Sequence, residues 1–181
     1  MTNENETNNV RIIEVVKHDP NWKNQYIDEA NKISKIMGKD IVEIHHIGST
    51  AIHGIYAKPV IDILIGVKSI LDVDKYDDEM KQLGYIPKGE YGIEGRRFYL
   101  KGLINRTHHV HVFEIDNPEI KKHLNFRDYM NEHPEDAKRY EELKKDLALR
   151  FRYDNDGYCD GKDEFIKEID EKAEKWYKVH G

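Results

Sequence analysis

The pattern of apolar and polar positions in the first third of the chain predicts strands around one helix. Runs of β-branched residues predict strands at Arg11–Lys17 and at Ile41–Ile47. Pro59–Val67 is apolar on both faces, which is typical of a central buried strand. Between the first two strands, apolar residues recur at helical spacing, and they predict a helix that begins at Pro20 and ends at Gly38.

The remaining pattern predicts shorter strands followed by a helical third. A charged helix is predicted over residues 69–83, and the strands predicted next are Tyr85–Pro87, Arg96–Lys101 and Thr107–Ile115. Pro118 and Pro134 each open a helix, and a loop over Tyr153–Gly161 separates two amphipathic stripes. The pattern therefore predicts one α/β or α+β domain over residues 10–181, with a C-terminal helical layer over residues 117–180. The polar residues 1–9 are predicted to be a disordered tail.

Composition and charge narrow the class of protein. The chain has 29 basic and 35 acidic residues and a formal net charge of −6, so it offers no electrostatic footprint for nucleic acid or for an anionic membrane. Its one cysteine, Cys159, excludes a disulfide framework within the chain. No membrane span and no secretory signal are visible, so we expect a cytoplasmic protein.

The strongest candidate for chemistry is a glycine-serine turn followed by a buried carboxylate. Gly48-Ser49 comes directly after a predicted strand, and Asp62 lies inside the next one. Such a turn lets backbone N–H groups and a hydroxyl approach a phosphate, and a carboxylate on the neighbouring strand can hold a divalent cation against it. The alternative is an ordinary turn with an Asp that forms an ion pair, for example with Lys58.

Two smaller groups of residues suggest further ligands. On a strand, His109 and His111 point to one face about 7 Å apart, where they can converge on a metal or an anion. The alternative is a solvated sheet face with hydrogen-bonded histidines. Arg97 belongs to a local basic cluster with Arg96, Lys101 and Arg106, which suits either a phosphate-bearing ligand or a solvated hairpin.

Several of these stretches together resemble the GrpB family. They are His46–Ala51 (HIGSTA), Ala57–Ile63 (AKPVIDI), Arg106–Val112 (RTHHVHV), His123–Tyr129 (HLNFRDY) and the C-terminal residues between Lys162 and Tyr177. The resemblance covers nearly the whole chain. It implies a fold similar to the nucleotidyltransferase superfamily, a mixed sheet flanked by helices, in a domain that also occurs fused to dephospho-CoA kinase. Gly48 and Ser49 match the phosphate-cradling turn of that superfamily, and Asp62 matches its first metal carboxylate.

The chain departs from the superfamily at one position. Nucleotidyltransferases usually carry a second Asp or Glu two residues after the first, and this chain has Leu64 there. With one carboxylate, the expected cofactor is a single divalent metal, Mg²⁺ or Mn²⁺ with Zn²⁺ as an option, held by Asp62, His109 and His111. Asp62 is also the predicted catalytic residue. The residues predicted to bind phosphate or ligand are His46, Gly48, Ser49, Thr50, Lys58, Arg97, Tyr158 and Lys162.

Three functions fit these residues. The first is transfer of a nucleotidyl or phosphoryl group from a nucleoside triphosphate to a small acceptor. The second is a catalytically inactive nucleotide-binding or accessory module on the same fold. The third is a site for another carboxylate or phosphate ligand, such as that of a metal-assisted hydrolase. The expected partner is a small-molecule substrate of the nucleotide class. All three functions share one cleft, where the Gly48 turn, the Asp62 strand and the strand over residues 107–112 meet beside the C-terminal helices. The sequence leaves the oligomeric state open.

Overall fold

The computed structural model describes residues 11–180, so the tail predicted over residues 1–9 lies outside the described residues. The helices are α1 (Trp22–Met37), α2 (Asp77–Gln82), α3 (Pro118–Glu132), α4 (Pro134–Arg150), α5 (Asn155–Asp160) and α6 (Asp163–His180). The strands are β1 (Ile41–Ile47), β2 (Ile61–Val67), β3 (Tyr85–Pro87), β4 (Arg97–Lys101) and β5 (His108–Glu114). Short 3-10 helices cover Gly38–Asp40, Ser49–Ala51 and Ile70–Tyr76.

The five strands form one mixed sheet in the order β1-β2-β5-β4-β3. Strand β2 is antiparallel to β1 and parallel to β5, whereas β4 is antiparallel to both β5 and β3. The register places Asp62 of β2 between Ile47 of β1 and His109 of β5. The predicted fold class, a mixed sheet flanked by helices, is confirmed, and the turn after β1 lies beside the strand that carries Asp62.

Helices cover both faces of the sheet. On one face, Ile63 of β2 and Val110 of β5 pack with Ile33 of α1. On the other face, Leu64 of β2 packs with Ile120 of α3. A further apolar cluster joins α3, α4 and α6, which is the C-terminal helical layer that the sequence predicts. Within residues 11–180, no helix combines the length and the apolar character that crossing a membrane requires.

The strand predicted at Arg11–Lys17 is wrong. This segment is extended, but only Val16 pairs with another strand-like residue, through two backbone hydrogen bonds to Ala57. Ile13 is 3% exposed and packs against Leu147 and Tyr158 of the C-terminal helices. Ile13 and Val15 therefore pack against the C-terminal helices, whereas Val16 packs against the core beside the sheet. Strand propensity does not distinguish these tertiary environments.

Other predicted boundaries differ where local geometry intervenes. The helix predicted over residues 69–83 begins as a 3-10 helix, because Ile70, Val73 and Tyr76 all pack into the core at a spacing of three. Strand β2 begins after Pro59, which has no N–H to donate to a neighbouring strand. The loop predicted over residues 153–161 contains α5, whose first turn is capped by the Asp154 side chain. Helix α1 begins later than predicted, at Trp22.

Candidate functional site

Gly48 and Asp62 lie in direct contact at the end of β1. Gly48 follows β1 with a φ of 75°, a left-handed conformation that favours glycine. A Cβ atom added to Gly48 would lie 2.5 Å from Oδ2 of Asp62. The absent side chain therefore leaves room for the carboxylate, so that the turn and the buried acid share one location.

Two histidines of β5 surround the same carboxylate. The His111 Nε2 lies 3.1 Å from Oδ1 of Asp62, and the His109 Nδ1 lies 3.6 Å from that oxygen. Burial alone would raise the pKa of Asp62, but hydrogen bonds from the His109 and His111 rings outweigh it and hold the pKa well below its usual value. Asp62 is therefore a carboxylate anion at neutral pH.

A buried arginine fixes the tautomer of His111. Arg96 is 7% exposed and its Nη1 lies 3.3 Å from the His111 Nδ1. Because a guanidinium only donates hydrogen bonds, Nδ1 accepts and Nε2 carries the proton that it donates to Asp62. Arg96 also donates to the carbonyls of Glu90 and Tyr91, which hold it in place. The result is a chain of hydrogen bonds from Arg96 through His111 to Asp62.

This chain of hydrogen bonds does not fit the divalent metal that the sequence predicts at Asp62, His109 and His111. A neutral His111 that ligates through Nε2 needs its proton on Nδ1, donated to an acceptor, and Arg96 occupies that position as a donor. Among residues 11–180, no group of three or more His, Cys, Asp and Glu side chains is arranged to hold a metal ion. The residues around Asp62 therefore do not fit a divalent metal.

A small cavity lies beside Asp62. Its volume is about 240 Å³, which is small for a ligand pocket. It is lined by Gly48, Ser49, Lys58, Val60, Asp62, His109, Phe126, Tyr140, Tyr158, Cys159 and Lys162. Two larger grooves, one between α3 and α6 and one beside residues 13–16, lie elsewhere on the surface. The Gly48 cavity is where the predicted turn, carboxylate and lysines come together.

Two lysines give this cavity a positive wall. The Lys58 and Lys162 ammonium groups lie 4.7 Å and 4.5 Å from the centre of the buried Tyr158 ring. Neither ammonium has a carboxylate within 4.0 Å among residues 11–180. Burial, together with the charges of Lys162 and Arg11, lowers the pKa of Lys58 to about 8. Their positive charge is thus available to an anion in the cavity.

Two predicted ligand residues, His46 and Thr50, lie behind the turn instead of in the cavity. His46 points to the α1 face of the sheet, where its ring stacks on Tyr26 at 4.8 Å between centroids. Its Nε2 lies 2.8 Å from the hydroxyl of Thr50, which is 3% exposed. Burial lowers the pKa of His46 to about 4, so the ring is neutral at physiological pH. Through this hydrogen bond, His46 and Thr50 stabilise the turn from the side that faces away from the cavity.

Arg97 also lies away from the cavity, whereas Arg96 and His123, which the sequence did not single out as ligand residues, lie beside His111. Arg97 faces the α1 side of the sheet and forms an ion pair with Asp74 at 2.7 Å. Arg96, one position earlier, has the opposite orientation and reaches His111. His123 of α3 lies 5.7 Å from the His111 ring centre, and burial lowers its pKa to about 4. Arg96, which directly precedes β4, and Arg97, its first residue, point to opposite faces of the sheet. Nothing in the sequence shows which of the two contacts His111.

Comparisons with known proteins identify the family. A protein-family model described as "GrpB protein" matches residues 12–172. The chain is 46% identical over 168 residues to UPF0157 protein YqkA of Bacillus subtilis, covering 93% of this chain and 49% of that protein. It therefore spans about half the length of that relative. It is 39% identical over 160 residues to Glutamate-rich protein GrpB of Alkalihalophilus pseudofirmus, covering 86% of this chain and 92% of that protein.

A solved structure agrees with the same assignment. The crystal structure of conserved protein GrpB from Enterococcus faecalis superposes with a TM-score of 0.88 at 42% identity, covering 91% of this chain and 99% of that one. Both the sequence similarity and the fold extend over nearly the whole chain. The chain belongs to the GrpB family.

Proposed function

We propose that this protein binds a small phosphorylated ligand of the nucleotide class in the Gly48 cavity. The observation that carries the proposal is the pair of ammonium groups, Lys58 and Lys162, which face the cavity without a carboxylate partner within 4.0 Å among residues 11–180. Buried or half-buried charge without a counter-ion is unfavourable, so an anionic ligand would supply the missing partner.

The chemistry of the cavity favours phosphate over other anions. The glycine turn at Gly48 exposes backbone close to the cavity, and Ser49 contributes a hydroxyl beside it. Phe126 and Tyr140 add aromatic surface that suits the uncharged part of a ligand. Because the cavity holds only about 240 Å³, we expect it to enclose the phosphate end of a nucleotide and leave the remainder at its mouth.

Ligand binding without metal-dependent transfer is the function that this arrangement supports best. Leu64 stands where a second metal carboxylate would be needed, and its side chain is fully buried in the core. Asp62 is engaged by His111, whose other nitrogen accepts from Arg96. Transfer of a nucleotidyl or phosphoryl group, the reaction that the family resemblance suggests, would require these contacts to be replaced by metal ligands.

Calorimetric titration tests the proposal directly. ATP, CTP, AMP and inorganic phosphate are titrated into the protein with EDTA and, separately, with Mn²⁺. We expect binding of at least one phosphorylated ligand in EDTA, and an affinity loss of about tenfold or more in Lys162→Met, equivalent to about 1.4 kcal/mol.

The control is Lys167→Met, which removes an exposed lysine from the same region of the chain and should leave the affinity unchanged. Absence of heat with all four compounds under both conditions would overturn the proposal. Binding that requires Mn²⁺, accompanied by release of pyrophosphate from a triphosphate, would instead favour the transferase.

A further inference from the structure

A third lysine lies directly behind the wall of the cavity. Lys144 of α4 is 1% exposed, and its ammonium donates to the Tyr56 carbonyl at 2.8 Å. The same ammonium lies 4.4 Å from the centre of the Tyr140 ring, which lines the cavity. Lys58, Lys144 and Lys162 therefore form one group around two adjacent aromatic rings, and we call it the lysine cluster.

The charge of Lys144 has no ion-pair partner. Among residues 11–180, no carboxylate lies within 4.0 Å of its ammonium. The adjacent carboxylate of Glu141 is already engaged, because it accepts from the Tyr56 N–H at 2.8 Å and from Lys138 at 2.5 Å. An ammonium buried this completely is normally paired, so the cluster is short of negative charge.

The surroundings of Lys58 and Lys144 lower the pKa of both ammonium groups. Burial, together with the charge of Lys162, lowers the pKa of Lys144 to about 7, and similar causes lower that of Lys58 to about 8. The other titratable and charged groups that act on these two lysines, or on the rings that they face, are Arg11, Asp62, Tyr140, Glu141, Tyr158 and Cys159. Asp62 and Glu141 are the carboxylates among them, and both have other partners.

We propose that ligand binding in the Gly48 cavity is coupled to proton uptake by the lysine cluster, so that affinity falls as the pH rises through the range from neutral to weakly alkaline. This inference rests on the proposed binding of a phosphorylated ligand. It adds a regulatory role for Lys144, a residue that does not line the cavity and that we regard as a positioning residue.

The direction of the coupling follows from electrostatics. An anion in the cavity stabilises the charged form of each lysine and raises its pKa toward the ordinary value for lysine. Above about pH 8 the free cluster has lost protons, so binding must bring them back, which weakens the apparent affinity. Near pH 6 Lys58 and Lys144 are almost fully charged before the anion binds, so binding takes up only a small fraction of a proton at that pH.

Calorimetry in buffers of different ionisation enthalpy measures this uptake on the intact protein. The probes are inorganic phosphate and sulfate, because sulfate is a dianion that does not itself titrate near neutral pH. At about pH 8.5 we expect more than about one proton taken up per bound anion, against fewer than about 0.3 at about pH 6. We also expect affinity for sulfate to be at least about tenfold weaker at the higher pH.

A variant identifies the lysine that is responsible. In Lys144→Met the uptake at about pH 8.5 should drop below about one proton, whereas the control Lys145→Met, which removes the neighbouring half-exposed lysine, should keep the wild-type value. Should Lys144→Met fail to fold, the wild-type titration of lysine side-chain carbons by NMR provides the same information.

The possible results separate the two proposals. Anion binding with proton uptake supports both of them. Anion binding at about pH 8.5 with no net uptake overturns the coupling and leaves the ligand site intact. Absence of binding of any phosphorylated ligand or sulfate at either pH overturns both.

Discussion

Gly48 lies so close to the carboxylate of Asp62 that even a methyl group at Gly48 would overlap Oδ2. The distance from an added Cβ would be 2.5 Å, well inside van der Waals contact. Gly48 directly follows β1 and Asp62 lies on the neighbouring antiparallel strand β2, so the pairing of Ile47 with Asp62 sets their proximity. Any change at Gly48 therefore acts on the carboxylate as well as on the backbone.

The variant Gly48→Ala should be less stable than its matched control, Gly54→Ala. Both glycines have similar left-handed φ values, 75° and 72°, but an added Cβ at Gly54 meets nothing within 4 Å. The control carries the strain of a positive φ without a steric contact, about 1–2 kcal/mol. Gly48 has in addition a ψ of −171°, in a region open almost only to glycine. We expect Gly48→Ala to lose at least about 1 kcal/mol more and to weaken ligand binding, as measured by urea unfolding and calorimetry. Equal losses in the two variants would show that Asp62 moves aside freely.

Replacing Arg96 should disturb His111, whereas replacing its neighbour Arg97 should not. Arg96→Met leaves the His111 Nδ1 and two carbonyls without their donor, and we expect it to lower the free energy of unfolding by about 2–4 kcal/mol. Arg97→Met removes a pair with the exposed Asp74 side chain and should lose at most about 1 kcal/mol.

Nitrogen-15 NMR of the imidazoles supplies a second measurement for Arg96. In the wild type, His111 should carry its proton on Nε2, and this tautomer should no longer be fixed in Arg96→Met. Observation of a proton on Nδ1 in the wild type would contradict the hydrogen-bond chain from Arg96 to Asp62.

Stability should fall as the pH is lowered from about 6.5 to about 4, in part because of His46. The pKa of this imidazole is about 4 in the folded protein and about 6.5 in the unfolded chain, so the unfolded chain binds more protons in this range. The part of this stability loss that His46 causes should be on the order of 2 kcal/mol and should level off below about pH 4. Asp62 acts in the same direction but at lower pH, since a depressed carboxylate pKa removes stability only as the pH falls below the unfolded value near 4.

The variant His46→Phe keeps an aromatic ring on Tyr26 but cannot take up a proton, so its unfolding free energy should depend less steeply on pH in this range. The exposed residue His53 provides the control, as His53→Phe. Urea unfolding at several pH values is the measurement, and an unchanged slope in His46→Phe would refute the role of His46.

Residues 11–17, which precede α1, should contribute to the free energy of unfolding although they do not form a strand. Ile13 is 3% exposed and packs on α4 and α5, whereas Ile12 is 46% exposed. Ile13→Ala should lower the free energy of unfolding by about 2–4 kcal/mol, and Ile12→Ala by about 0.5 kcal/mol or less. Equal values from thermal or urea unfolding would indicate that the segment does not pack as described.

The sequence predicted correctly those elements whose bounds depend on residues close together in the chain. Strand β1 was bounded correctly by its β-branched run, and the proline at the start of α3 and of α4 marked each first turn. The strand predicted at Arg11–Lys17 was wrong, because β-branched side chains such as Ile13 and Val15 pack equally well against helices that come more than 100 residues later.

The candidate site was predictable only where its members follow from strand order. Gly48 follows β1 and Asp62 lies on the neighbouring strand β2, and their spacing in the sequence suggested the turn and the acid that meet in the cavity. The roles of Arg96 and Lys144 were not predictable, because each depends on a tertiary contact with a distant residue. The same holds for His111, whose bond to Arg96 decides which of its nitrogens is protonated.

The lining of the Gly48 cavity comes from two parts of the chain that are far apart in sequence, with Asp62 and His109 on the sheet and Tyr158 and Lys162 in and just after α5. A ligand bound there would contact both parts and hold them together, because it would be released if either part moved away from the other. Ligand should therefore slow amide hydrogen exchange across α5 and the start of α6 as much as along β2, although most of these amides never touch it.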